Sequence, residues 1–386
     1  MKKRKWLSVL VVFTIFFLSA CAQSSGGNGE KVVNIGYSGP LSGAAAYYGE
    51  NTLNGLKMAV EDINKEGFEV NGDKYKLNVV ALDDKYLPNE TASNGKRLVQ
   101  ENQTPIIFSP HSGGISALQV FNEVDNFIVS AYSSEPDIVE RGNTLTVRIP
   151  PSYEGYIEPF SDYAMDNFGK KLAAIPPVTQ YGKDWAEAII PYWESAGGEV
   201  VHKASVDYSK DTDFFTLLTN ALKEEPDVLF IGGPSEPTAK IVSQARQLGY
   251  DGGFIVMDQA KLDEMKNVTG SYDVLEGAIG VVPLIYTEYS GTKAFIDKYR
   301  EKHDKDPGSE AGYHYLAMYV FVEAMKAAGS VDDAKLIREH IEDGLTNLPD
   351  DKKVYDLKHI EENGAIENFI RMGVIKDGEF EEVDVE

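Results

Sequence analysis

The feature that most constrains this chain is an alternation of strand and helix that begins near residue 32, runs to about residue 150 and then begins again. VVNIGYSGP is a β-branched apolar run closed by glycine and proline, which reads as a strand and its exit turn. In the next segment, YGENTLNGLKMAVEDINKEG, residues Leu53, Leu56, Val60 and Ile63 recur at helical spacing and Gly67 supplies a stop. KYKLNVVALDD, PIIFS, FIVSAYS and TLTVRIP read as further strands, separated by the helical segments PNETASNGKRLVQEN and GGISALQVFNEVDN. After Pro151 the rhythm restarts. PSYEGYIEPFSDYAMDNFG reads as a helix that Pro159 should bend or interrupt, and YGKDWAEAIIPYWESAGG as a helix kinked at Pro191. KLAAIPP, EVVHKASV, DVLFIGG and GGFIVMD read as strands, DFFTLLTNALKEE and EPTAKIVSQARQLGY as helices, and the C-terminal stretch as an antiparallel pair about a KDG turn. Alternating β and α predicts doubly wound parallel sheets, and the restart predicts two such lobes in an α/β protein. Ligands of such sheets bind beyond the carboxyl ends of the strands, so the residues just after each strand are where function is sought.

Few signatures of catalysis occur. The sequence has no G-x-G-x-x-G after its first strand, no P-loop, no H-E-x-x-H and no G-x-S-x-G. Its six histidines are scattered without metal-ligand spacing, so neither an enzyme nor a metal or other cofactor is expected. His111 follows a strand beside Ser112, but sequence neighbours tend to point apart, and a catalytic pair is not inferred. Asp83 and Asp84 end a strand and read as helix caps or solvated carboxylates. A formal net charge of −24 makes a nucleic-acid partner and electrostatic attachment to an anionic membrane poor expectations, because both need clustered lysine and arginine.

Several strand ends carry binding chemistry. SPHSGGISAL places Ser112, Gly113 and Gly114 where a loop becomes a helix N-terminus, whose free N–H groups and dipole suit a carboxylate. The same segment also fits a plain serine cap with nothing bound. AYSSEPDI presents Tyr132, Ser133 and Ser134, as hydroxyls and an aromatic face or as another cap. Asp258, with Gln259 beside it, follows GGFIVMD and suits an ammonium. Tyr48 and Tyr181 each precede a glycine at a helix start, and fit either packing or closure over a ligand from opposite lobes.

The front of the chain is a separate unit. Lys2, Lys3, Arg4 and Lys5 precede the apolar run WLSVLVVFTIFFLSA, which is shorter than a membrane-spanning helix needs. The pattern LSAC resembles the bacterial lipobox. It implies cleavage after Ala20, diacylglyceryl addition to Cys21 and a lipid anchor as the only membrane contact. Cys21 is the single cysteine, so it has no internal disulfide partner. AQSSGGNGEK then reads as a flexible tether. Residues 1–20 are thus taken as leader and 21–30 as tether.

The segments YSGPLSGAAAYYGENTLNGLKMAVEDIN, ALDDKYLPNETASNGKRLVQEN, SAYSSEPDIVERG, VTQYGKDWAEA and IKDGEF resemble, in order, the branched-chain amino-acid-binding proteins of ABC importers, which are type I periplasmic binding proteins. The resemblance implies two lobes, 31–149 plus 257–347 and 150–256 plus 348–386, joined by three crossovers near 149–151, 254–258 and 345–352. It implies hinge closure on a small molecule, an amino acid or a related amide or carboxylate, and delivery to permease subunits by a monomer held outside the cell; the lipid anchor, which replaces a periplasm in retaining such a protein, points to a Gram-positive surface. A sensing role for the same fold is the alternative. By the resemblance, Ser112 binds an α-carboxylate and Ser134 touches both α-carboxylate and ammonium. The Tyr132 carbonyl receives the ammonium, Asp258 neutralises it unless a one-residue shift puts Gln259 there, and Tyr48 and Tyr181 are cleft aromatics. Tyr132 is bulky where relatives are often small.

Overall fold

The structure, a computed structural model, describes residues 30–385; the leader, Cys21 and the tether before residue 30 lie outside the described residues. The first sheet contains β1 (Lys31–Gly39), β2 (Phe68–Val70), β3 (Asp73–Asp83), β4 (Ile106–Ser109), β5 (Ile128–Ala131) and β6 (Thr146–Arg148) in the order β2-β3-β1-β4-β5-β6. All its pairings are parallel except that of β2, a short edge strand folded back on β3. The second sheet contains β7 (Lys171–Ile175), β8 (Glu199–Lys203), β9 (Val228–Ile231), β10 (Gly253–Val256), β11 (Ala278–Val281), β12 (Met372–Lys376) and β13 (Glu379–Val383), in the order β13-β12-β11-β10-β9-β7-β8. β8 through β11 are parallel, and β12 and β13 add an antiparallel edge whose turn, Asp377-Gly378, has both residues at positive φ, as the KDG signal implies. Helices cover both sheets, so the two doubly wound α/β lobes read from the sequence are present. Among the described residues no helix is long and apolar enough to cross a membrane.

Two crossovers differ from expectation. The first crossover follows β6 and precedes the helix Glu154–Asn167, in the region of the expected 149–151. The chain does not return to the first lobe at 257, because β11 pairs with β10 on one side and β12 on the other; the second crossover follows Val281, and Leu284 already packs in the first lobe's core. Nor does it leave the first lobe near 347. Val354, Tyr355 and Ile366 pack in that core, and Ala365 pairs with Arg148 at the end of β6, so the third crossover is 367–371. The run AIGV is too short to carry a periodic signal, and 354–366 carries none.

The two prolines do not break their helices. Glu154–Asn167 and Gln180–Ser195 run on through Pro159 and Pro191. Trp185, Ile189 and Trp193 are fully buried on the second of these, so packing outweighs the missing N–H.

Candidate functional site

In the first lobe the strand order reverses direction at β1 and β4, and in the second at β7 and β9, so each sheet has its switch point facing the other lobe. The two Tyr-Gly pairs mark corresponding corners. A Cβ at Gly49 would lie 1.6 Å from the Pro40 carbonyl oxygen, and one at Gly182 would lie 2.2 Å from that of Pro177. Only glycine lets the loop leaving β1 or β7 sit on the first turn of the following helix, and this fixes Tyr48 and Tyr181 at the cleft.

Between the lobes lies a partly open cavity lined by seven of the eight binding residues that the sequence points to, Tyr48, Ser112, Tyr132, Ser133, Ser134, Tyr181 and Asp258. Gly113 is one step further into its helix and does not line it. Ser112 opens the helix Ser112–Gln119, but His111 rather than Ser112 is the cap: its Nδ1 accepts from the Gly114 N–H at 3.0 Å. The remaining ring proton, on Nε2, is directed at Asp84 Oδ2, 3.0 Å away. Asp84 is therefore neither solvated nor a helix cap. It is fully buried, and it also accepts from Ser38 Oγ (3.1 Å), Thr91 Oγ1 (2.9 Å) and the Tyr86 N–H (3.0 Å). Asp83 instead pins the loop after β1 through the Leu41 N–H and Ser42 Oγ. Ser134 Oγ is buried without a hydrogen-bond partner, and Tyr48 Oη donates to the Pro110 carbonyl at 2.6 Å. The Tyr132 ring lies between Tyr48 and the pair Tyr313 and His314.

On the second lobe, Asp258 follows β10 and its Oδ1 accepts from Tyr181 Oη and from Trp185 Nε1 (3.1 Å). Burial and the Asp258 charge push the Tyr181 hydroxyl well above its usual range, which keeps it a donor. Asp258 Oδ2 receives no hydrogen bond among the described residues. Gln259 also lines the cavity, but its amide is engaged with Tyr86 Oη across the cleft, at 3.0–3.2 Å. A second bridge joins the lobes at Asn51, whose Nδ2 donates to Glu264 of the second lobe (3.0 Å) and Glu310 of the first (3.1 Å). A free carboxylate oxygen on one wall thus faces a free hydroxyl and a helix start on the other. That arrangement can hold a zwitterion by its two ends.

Tyr86, Trp185 and Lys261 were not singled out in the sequence. Tyr86 and Lys261 belong to loops after β3 and β10, and the strand-end rule reaches them if extended by three residues. Trp185 carries no such signal; it sits one turn into its helix and acts through Asp258. Among the described residues no cluster of side chains has the makings of a metal site.

Two lobes, three crossovers and a polar cleft lined from both sides define a bilobal ligand-binding protein. The chain belongs to the periplasmic binding protein family, which it matches over residues 32–379. It is similar to an amino acid binding protein of Pseudomonas aeruginosa, 28% identical over 341 residues that make up 86% of each chain. It is similar also to the Leu/Ile/Val-binding protein BraC3 of Rhizobium johnstonii, 28% identical over 319 residues, 81% of this chain and 84% of that one. A leucine binding protein from Thermotoga maritima shares the fold, with a TM-score of 0.78 at 24% identity over 91% of this chain and 98% of that chain.

Proposed function

We propose that this protein is the extracytoplasmic solute-binding component of an ABC importer, anchored by lipid at Cys21 and binding an amino acid in the cleft between its lobes without catalysing a reaction on it. The observation that carries the reading is the pairing of Asp258 Oδ2, left open by Tyr181 and Trp185, with the unpartnered Ser134 Oγ and the start of the helix at Ser112. In this reading Ser112 and Ser134 take the α-carboxylate, and Asp258 with the Tyr132 carbonyl takes the ammonium. Tyr48 and Tyr181 close over the ligand, and Ser133 supports the loop. The names of the amino-acid-binding relatives support the substrate class. The lipobox pattern supports the anchor.

A thermal-shift screen tests it. At 100 times its dissociation constant, an amino acid stabilises the protein by about 2.7 kcal/mol. A response confined to aromatic acids, amides or sugars overturns the ammonium role of Asp258. Lipid labelling tests the anchor: Cys21→Ser should accumulate as unlabelled, uncleaved precursor, and normal labelling refutes it.

A further inference from the structure

Lys261 stands at the second-lobe wall of the cleft and is only 3% exposed. Its backbone N–H is held by Ser235 Oγ at 3.0 Å, which fixes the residue at the start of the helix Leu262–Thr269. Its ammonium donates to the carbonyls of Asp258 and Gln259. An ammonium has three donors, so one remains. Among the described residues, no carboxylate lies within 4.0 Å of it. Asp263 and Glu264 feel its charge from further away. A buried cation satisfied only by neutral carbonyls is costly unless an anion joins it.

Lys261 also lines a second space. Beside the cleft lies a partly open chamber, bordered by all three crossovers at Pro150, Val282 and Asn368, and sharing Tyr132, Asp258 and Lys261 with the cleft. Ser309 Oγ and Tyr355 Oη line it, both buried and without a hydrogen-bond partner. Among apolar neighbours such as Val281, Val282 and Phe369, and beside the Asp258 and Asp356 carboxylates, these hydroxyls and the Arg371 guanidinium give the pocket donors that an acidic group can use in addition to Lys261.

We infer that Lys261 is a specificity-determining residue that holds a side-chain carboxylate, so that the ligand is an acidic α-amino acid whose side chain runs past Tyr132 toward the hinge chamber. The inference rests on the amino-acid reading of the cleft. It places two carboxylates on two different sets of donors: the α-carboxylate on Ser112 and Ser134 of the first lobe, and the side-chain carboxylate on Lys261 of the second, with the Ser309 and Tyr355 hydroxyls in reach of longer chains.

The test is calorimetric titration of the full-length chain in detergent with glutamate, 2-aminoadipate, glutamine and leucine. Glutamate or 2-aminoadipate should bind about 10- to 100-fold more tightly than glutamine, as expected for a charge-assisted contact. Lys261→Met should lower affinity for the acidic ligands at least about tenfold more than for glutamine or leucine, so that the preference is lost, and Lys261→Arg should keep it. Equal or tighter binding of leucine or glutamine by the unmodified protein overturns the inference without any variant, and leaves the amino-acid reading standing. An equal loss for acidic and neutral ligands in Lys261→Met also overturns it, because Lys261 would then hold the α-carboxylate. If the folded protein binds none of the four, the amino-acid reading fails and the inference with it.

Discussion

The two walls of the cleft hold their polar groups by different means. On the first lobe, the carboxylate that organises the wall, Asp84, is fully buried and sits behind it, with four donors converging on it from Ser38, Tyr86, Thr91 and His111. What reaches the cavity is neutral: hydroxyls and the N–H groups of a helix start. On the second lobe the charges themselves reach the cavity. Asp258 is held through one oxygen and Lys261 through two of three donors. The Asp84 cluster behind the first wall is complete in itself, whereas Ser134 Oγ in front of it and the charged groups of the second wall are complete only when something supplies the missing partners. Such a division lets a ligand settle on fixed dipoles and draw the charged wall onto it, which is the differential interaction that a closing motion requires.

If the Asp84 cluster behind the first wall is a self-sufficient frame, breaking it should cost stability. Asp84→Ala leaves four buried donors around a vacancy and should destabilise the protein by about 3 kcal/mol or more, read from denaturant midpoints. If the second wall is the incomplete one, Asp258→Ala should act mainly on binding. It should weaken amino-acid affinity by about 2–5 kcal/mol in calorimetry, by leaving the ligand ammonium unpaired. The comparison breaks if Asp84→Ala leaves stability unchanged, or if Asp258→Ala leaves affinity unchanged.

The contacts between the walls should respond to pH. Glu264 is pushed well above the usual carboxylate range by burial first, then by the neighbouring Glu310 and Asp263, with Ser235 and Lys261 opposing. Asp263 is raised to about 7 by burial and Glu310. At another interlobe contact Glu135 is raised to about 7 by burial and then by Asp184, against Ser112 and Arg141. Lys305 also faces Glu264 and Glu310. A carboxyl with a raised pKa binds its proton more tightly in the closed, folded state than in the unfolded one. Its contribution is therefore complete below the free values of 3.8 and 4.5 and is lost as pH rises toward about 7. Melting temperature should fall between about pH 5 and 8. Glu135→Gln should flatten part of that slope, whereas an unchanged slope would exclude Glu135 as a titrating contact.

How much of this was legible beforehand follows from where the information lies. Strand and helix are local patterns, so both lobes could be read, down to the Asp377-Gly378 turn. The later crossovers are set by which strand pairs with which, and nothing local marks β11 as a sheet strand or Ala365 as the partner of Arg148. In the cleft, the strand-end rule found Ser112, Ser134 and Asp258 because their backbone position alone brings them there. It did not find the groups that hold them. The Asp84–His111 contact spans 27 positions and Trp185–Asp258 spans 73, and such pairs exist only once the chain has folded. Asp84 was misread for the same reason: its surroundings come from β1, the helix after residue 88 and the loop after β4.

The smallest expected effect separates frame from closure most cleanly. Lys85 and Tyr86 both have positive φ, at 56° and 65°, and this turn lays the Tyr86 ring on His111 with centroids 4.7 Å apart. The ring thus belongs to the first wall, while the hydroxyl reaches Gln259 on the second. Tyr86→Phe keeps the first contact and removes the second. Losing one neutral hydrogen bond should weaken ligand binding by about 0.5–1.5 kcal/mol. The loss should show as faster dissociation in stopped-flow measurements, because the bond forms only when the lobes meet. Melting of the ligand-free protein should shift less than that of the complex. An equal shift in both would assign the Tyr86 hydroxyl to the standing structure of the cleft, and a dissociation rate that does not change would show that the Tyr86–Gln259 contact takes no part in holding the lobes together on the ligand.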